Sequence, residues 1–438
     1  MSTQTIKPTH VRRLDIRCNV TDIVLSNVAN HLVFFFRRRL DERVLADAFG
    51  QALTNLPLFA GRLTLVRGAL YIRCSGQGVP FTSASSDRGL NEAIRSVTED
   101  TGDWLVDPVN GAVARWGFGA LCKVRITHLA DGATAIGVSF HHAIGDMATL
   151  MMLMNAWSAA VSGEPIREPV IVEDRAAYLD EHLPAGGAGK PGVRCLGLLE
   201  AARSLLHLAV DGRRLRTLSL YFGDAEITRM RDAYRSRMWL SANDTVCGHV
   251  CEALMSADPT VRRRTVAIPV NTRSRCGLDP MLVGNILSAL NVDMTQGETG
   301  RSIAESIRNG LNHFADEHCD MRINQTFLES VGNWRGARCV ASGFNPTRWN
   351  PLITNVSGFG VHRICFEGTP VTHCAVLSVP VAGYGVLIEG MDGKGLVFRV
   401  TLPRREFDAM ASREIQEHLR KFRHADDDIP QLHREVHV

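Results

Sequence analysis

The sequence predicts an α/β protein organised as two halves of similar element order, and three observations carry the prediction. At 438 residues the chain exceeds one ordinary domain and fits two large ones. Hydrophobic residues at 45% and charged residues at 22% match globular usage, so each half can bury a core of its own. Strand-like and helix-like segments alternate along both halves, and a stretch rich in proline and glycine, EHLPAGGAGKPG at 181–192, divides them. The expected units are 1–180, a linker or crossover at 181–215, and 216–438.

Taken in order, residues 30–37 (NHLVFFFR) read as a buried strand. LDERVLADAFGQALTNL follows, with apolar residues three and four apart, the pattern of an amphipathic helix. RLTLVRGALYIRCSG reads as a hairpin turning near Gly68, and a second helix is expected over 87–100. LCKVRITHLADGATAIGVSFHH holds two strands joined at Ala130-Asp131-Gly132. DMATLMMLMNAWSAAVSG is a long apolar helix stopped by Gly163 and Pro165. The second half offers helices at 225–235, 243–256 and 301–315, and strands at 265–270 and 284–294. It closes with a hairpin turning at Asp392-Gly393 and a final helix over 404–422.

Charge and cysteine usage exclude several classes. The 49 basic and 46 acidic side chains leave a net charge of +3, which gives no reason to expect nucleic acid or a membrane as partner. Arg37-Arg38-Arg39 and Arg262-Arg263-Arg264 read as solvated element ends. Eleven cysteines are scattered singly. Cys247 and Cys251, with His249 between them, share a helix face but lack further ligands at zinc spacing, so they read as buried free thiols. No metal site is expected, and the cysteine pattern fits a reducing compartment. The polar start MSTQTIKPTH lacks a signal-peptide core, and no run of about 18 apolar residues suggests a membrane span. The cytoplasm is the expected location.

Chemistry points to His141-His142-Ala143-Ile144-Gly145-Asp146. The run before His141 reads as a strand and the run after Gly145 as a helix, so these side chains stand where a rigid scaffold enters a loop. A neutral imidazole takes a proton from a hydroxyl or amine as that group attacks a carbonyl. Asp146 could cap the helix, hold the loop or orient the imidazole. Adjacent histidines on an extended segment point to opposite faces, which argues against a shared metal. No G-x-S-x-G elbow and no P-loop occur, and Gly358-Phe359-Gly360 lacks the third glycine of a dinucleotide loop.

At these residues the sequence resembles the BAHD acyltransferases, in the wider group of chloramphenicol acetyltransferase and the condensation domains of peptide synthetases. HHAIGD matches the HxxxD signature through His142 and Asp146. LPLFAGRL is similar to the family's turn ending in AGRL, and GALYIRCSGQGVPF to the hairpin after it. SANDTVCGHVCEAL resembles a helix of its second domain, Asn271-Thr272-Arg273-Ser274-Arg275 its DGRSR segment, and Gly284-Asn285 the pair opening its next strand. Thr354-Asn355 falls where the family has a short acceptor-side motif.

The resemblance implies two pseudo-symmetric chloramphenicol acetyltransferase-like domains, each a mixed sheet flanked by helices, with a channel at their interface. It implies His142 as general base, acyl-coenzyme A as cosubstrate with no bound cofactor, a small-molecule acceptor and a monomer. It makes Asp146 a structural partner of Arg273. Candidate substrate contacts are His31, His141, Gly145, Thr354 and Asn355, with Thr354 a hydrogen-bond donor to acceptor or oxyanion. Ser274-Arg275 are conceivable donor contacts. Three positions depart from the family: Met147 replaces a glycine, Val356 a tryptophan, and Ile364-Cys365-Phe366-Glu367-Gly368 keeps only the last glycine of DFGWG. The last departure fits a divergent enzyme or altered donor handling. The expected function is therefore acyl transfer from acyl-coenzyme A to a hydroxyl or amine. The alternatives are a condensation-type enzyme with a carrier-protein donor, or a non-catalytic ligand-binding homologue.

Overall fold

A computed structural model describes residues 1–99, 102–183, 189–342, 349–377, 379 and 381–430. Its frame is a pair of six-stranded mixed sheets flanked by helices. The first runs from Ser2–Ile6 through Val79–Ser85, Cys122–His128, Thr134–His141 and Ala29–Phe36 to His373–Val376. The second runs from Arg216–Phe222 through Leu396–Leu402, Tyr384–Glu389, Leu352–Asn355 and Arg263–Asn271 to Leu287–Thr295. Leu352–Asn355 pairs parallel with both neighbours, as Val79–Ser85 does with Cys122–His128. This is the two-sheet α/β architecture that the sequence implies. One connection was not legible. His373–Val376, from the second half of the chain, pairs antiparallel with Leu32–Phe35 and completes the first sheet.

The local rules hold along most of the first half. Asp41 caps Glu42–Asn55 by accepting from the Arg43 amide at 2.8 Å. That helix buries Leu45, Phe49 and Leu53, and Phe49 meets Trp157 with ring centroids 4.6 Å apart. Trp157 is itself buried and donates from Nε1 to the Leu45 carbonyl at 2.9 Å. Arg62–Val66 and Ala69–Cys74 form the expected hairpin, with Arg67 and Gly68 both at positive φ (49° and 84°) in the turn. The departed signature folds as a smaller hairpin, Cys365–Phe366 against Thr369–Pro370, turning through Glu367 and Gly368 at φ 49° and 72°. Its Phe366 packs on Trp157 at 4.9 Å, so this segment supports the core beneath the long helix Met147–Ser162.

Several expectations are corrected. The final helix is two, Arg404–Met410 and Arg413–Leu419, because Ser412 is extended at their junction and starts the second one, a position serine prefers to a helix interior. The strand expected from 284 begins at Leu287, since Gly284 stands at φ 139°, outside strand geometry. Arg263 is exposed and pairs with Asp293, but Arg264 points inward, donates to the Trp349 carbonyl at 2.5 Å and lies 3.9 Å from the Trp349 ring. Alternation along Arg263–Asn271 sends the two arginines to opposite faces. Of the stretch read as linker, 184–188 lies outside the described residues. The rest of 181–215 includes Val193–Cys195, paired with Cys339–Ala341, and the helix Leu198–Asp211. Cys195 and Cys339 face each other on that ribbon and are disulfide-bonded, so the cysteines are not all free. Cys247 and Cys251 are buried free thiols. No helix among the described residues is long and apolar enough to cross a membrane.

Candidate active site

The strand Thr134–His141 is buried along its whole length. At its end the chain makes a single tight turn over His142–Ile144, passes through Gly145, and enters the helix Met147–Ser162 at Asp146. The His141 side chain builds this turn. Its Nδ1 accepts from the Ala143 amide at 3.1 Å, and its Nε2 meets the Gly111 carbonyl at 3.0 Å. Burial pushes its pKa down to about 4. With one nitrogen accepting and the other donating, the ring is neutral and both its polar atoms are used by the backbone.

His142 is placed differently. Its amide donates to the Val28 carbonyl at 2.9 Å, and its carbonyl accepts from Asn285 Nδ2 at 2.6 Å. The residue is partly accessible where His141 is fully buried. Its Nδ1 is buried beside its own carbonyl and the Asn285 amide, with no partner at good hydrogen-bond geometry. Desolvation lowers the His142 pKa below its ordinary value, partly opposed by that carbonyl, Asp146 and Asn285. The ring is thus neutral at pH 7 and able to accept a proton.

Asp146 commits both of its carboxylate oxygens to other partners. Its Oδ2 accepts from Arg273 Nη1 at 2.8 Å and its Oδ1 from Nη2 at 3.1 Å, both side chains being buried. Oδ1 also caps the helix through the Thr149 amide (3.0 Å), and Oδ2 accepts from the Ile286 amide (3.1 Å). Burial alone would raise the carboxyl pKa. The Arg273 guanidinium and the two amides outweigh it and hold the pKa below 3.8. Arg273 also donates to the carbonyls of Leu282 (2.8 Å) and Gly284 (2.9 Å) and to Asn271 Oδ1 (3.1 Å). The pair therefore ties the histidine turn to the segment 271–286 of the second half.

Sequence reasoning missed a second buried ion pair beneath the same turn. Arg175 Nη1 lies 3.0 Å from Asp22 Oδ2, and its Nη2 donates to the Ile144 carbonyl at 3.2 Å. Asp22 Oδ1 accepts from Asn285 Nδ2 at 2.7 Å, and Asn285 is fully buried. Neither Asp22 nor Arg175 stands in a patterned motif, and in sequence a buried charge looks like a surface one. For Asn285 the signal was present as the Gly284-Asn285 pair, without a role attached.

The other candidates are spread more widely. Gly145 is extended, and a Cβ there would come within 2.4 Å of the Thr149 side chain, so its lack of a side chain serves close packing. His31 lies in Ala29–Phe36, with Nδ1 2.9 Å from Ser139 Oγ, and burial lowers its pKa. Thr354 and Asn355 end the central strand of the second sheet, half-buried, and Asn355 Oδ1 accepts from the Ser357 amide at 2.8 Å. Arg275 donates to the Leu311 carbonyl at 2.8 Å. Away from the turn, His249, Glu252 and His418 lie close enough together to hold a metal ion. Both His249 nitrogens already face partners, the Tyr234 hydroxyl and the Leu419 carbonyl, each at 3.1 Å. Lys421 Nζ stands 3.9 Å from Glu252, where a cation would compete with it.

Residues 1–190 match the model of the Transferase family. Hydroxycinnamoyltransferase of Narcissus pseudonarcissus is 30% identical over 159 residues, covering 35% of this chain and 36% of that protein. The chain thus spans about a third of the length of the curated relatives it first matches. Vinorine synthase has a similar fold, with a TM-score of 0.70 at 18% identity over 93% of this chain and 95% of that one. So has F. graminearum TRI101 complexed with coenzyme A and T-2 mycotoxin, with a TM-score of 0.71 at 13% identity over 92% of this chain and 98% of that one. The segment matched to the Transferase family carries His142 and Asp146, and the fold is similar to these two structures over more than nine-tenths of the chain.

Proposed function

We propose that the protein transfers an acyl group from acyl-coenzyme A to a hydroxyl or amine of a small-molecule acceptor, with His142 as general base. The observation that carries the reading is the contrast between the two histidines. His141 is sealed into the backbone, while His142 is neutral, partly accessible and held at its carbonyl by Asn285. Nε2 of His142 takes the acceptor proton as the acceptor oxygen or nitrogen attacks the thioester carbonyl. The tetrahedral oxyanion then collapses, the C–S bond breaks, and His142 returns the proton to the departing thiol. Thr354 donates to the acceptor or to the oxyanion. Asp146 and Arg273 hold the turn and touch neither substrate. No covalent acyl-enzyme forms in this reading, since among the described residues no serine or cysteine is hydrogen-bonded to His142. In this reading donor and acceptor enter a channel between the two sheets, and the enzyme acts as a cytoplasmic monomer. The coenzyme A held by the Fusarium structure and the acyl-transfer name of the Narcissus relative support the donor and reaction class.

The test is thiol release from a panel of acyl-coenzyme A donors in the presence of pooled hydroxyl and amine acceptors. Acceptor-dependent release by the parent, reduced at least ~10²-fold in His142→Ala, is expected. Equal release by parent and variant would remove His142 from the role. Silence across the panel, with no donor binding, would move the donor to a carrier-protein thioester or the protein to a non-catalytic role.

A further inference from the structure

The helix Leu198–Asp211 is turned inside out. Its Ser204 is buried, while Leu198 (77% exposed), Leu199 (66%), Leu205 (68%) and Leu206 (66%) face solvent together with Val210. These five positions, spaced i, i+1, i+7, i+8 and i+12, form one stripe along the helix. A continuous apolar stripe left in water marks a surface that something covers.

Charge indicates what covers it. Residues 190–216 hold six Lys or Arg (Lys190, Arg194, Arg203, Arg213, Arg214, Arg216) and two acids (Glu200, Asp211), a net charge of +4. The whole chain carries +3, so the remaining 411 residues sum to −1. The overall balance that argued against a membrane partner hides a strongly basic segment. Arg203 lies beside the stripe and is exposed, and Arg216, also exposed, follows the helix in sequence. An apolar helix face edged by arginine is the arrangement that lies flat in the headgroup region of an anionic bilayer. At 14 residues the helix is about 21 Å long, too short to span one. A second copy fits less well, since a two-fold contact would set the basic cluster against itself.

We propose that the stripe Leu198–Val210 docks the protein reversibly onto an anionic lipid surface. The proposal is independent of the acyl-transfer reading. The test is flotation of the full chain with vesicles of phosphatidylcholine alone or of phosphatidylcholine with about one-third phosphatidylserine, at low and high salt. The expected result is flotation with the anionic vesicles, weakened by salt and absent on neutral ones. Leu205→Glu/Leu206→Glu should weaken it at least tenfold. Arg203→Gln/Arg216→Gln should weaken it roughly fivefold per charge removed. All these side chains are exposed, so thermal unfolding should be unchanged, which separates lost docking from lost fold. A parent that does not float, or floats equally on neutral vesicles, overturns the proposal. So does flotation indifferent to Leu205→Glu/Leu206→Glu. A parent dimer that this variant converts to monomer, without flotation, assigns the face to a second copy. Capture by an acidic protein without flotation assigns it to that protein.

Discussion

Arg273 grips Asp146 at both carboxylate oxygens (2.8 and 3.1 Å) from the opposite half of the chain, and so closes the turn that presents His142. Removing one partner strands the other charge in the interior. Asp146→Ala or Arg273→Ala alone should cost about 3–5 kcal/mol, and the double variant clearly less than the sum of the two. Urea unfolding of the four-protein cycle checks this. The folded Asp146 pKa lies below its ordinary 3.8. Its stabilisation is therefore present above that value and disappears as pH falls through the lowered one.

The His142 pKa is lowered from 6.5, chiefly by partial desolvation of its ring. As base it must be neutral, so kcat/KM should rise with pH along a single limb centred below 6.5 and stay level above it. A pH–rate profile checks this, and a limb centred above 6.5 would contradict the assignment.

Asn285 joins the His142 carbonyl to Asp22 through one amide nitrogen (2.6 and 2.7 Å). Asn285→Ala leaves both acceptors buried without that donor and should cost about 1–3 kcal/mol of stability per lost bond. Because the donor acts on the backbone of His142, kcat should fall more than KM rises, and the low-pH limb should move. A purely structural role would lower stability and leave the limb in place.

His141 and His249 each have a pKa lowered to about 4 by burial. Unfolded, both take a proton near 6.5. Between those values the unfolded chain binds more protons, so stability should decline as pH falls from about 6.5 to about 4, by up to a few kcal/mol. Thermal melts across that range should show it, and His141→Gln and His249→Gln should each flatten the slope.

Gly145→Ala tests close packing without backbone strain, since the residue is extended (φ 168°). The added methyl would lie 2.4 Å from Thr149, whose hydroxyl donates to the Gly284 carbonyl and accepts from the Gly284 amide (both 3.0 Å). A loss of about 1–3 kcal/mol is expected, recovered in part by Thr149→Ser, which removes a methyl from the contact.

Much of this was legible in the sequence because it rests on local rules. Apolar spacing located Glu42–Asn55, Ala130-Asp131-Gly132 located a hairpin, and the strand-to-helix switch located His142. Asp146 and Arg273 are 127 residues apart, and no periodicity connects them. The resemblance alone suggested the pairing. What stayed hidden depends on long-range burial. Asp22, Arg175 and Arg264 look like surface charges until the fold encloses them, and the outward stripe of Leu198–Asp211 reads in sequence like any core-facing helix.

The strand His373–Val376 belongs to one half of the chain and to the sheet of the other. A cut anywhere in 181–215 divides the sequence but not the architecture. A fragment ending there would leave Leu32–Phe35 with a bare, apolar edge of unpaired amides and carbonyls, open to the next such edge it meets. The halves are therefore expected to melt in one transition rather than two, and a ribosome that has made the first sheet's other five strands must wait for some 230 more residues before that sheet can close.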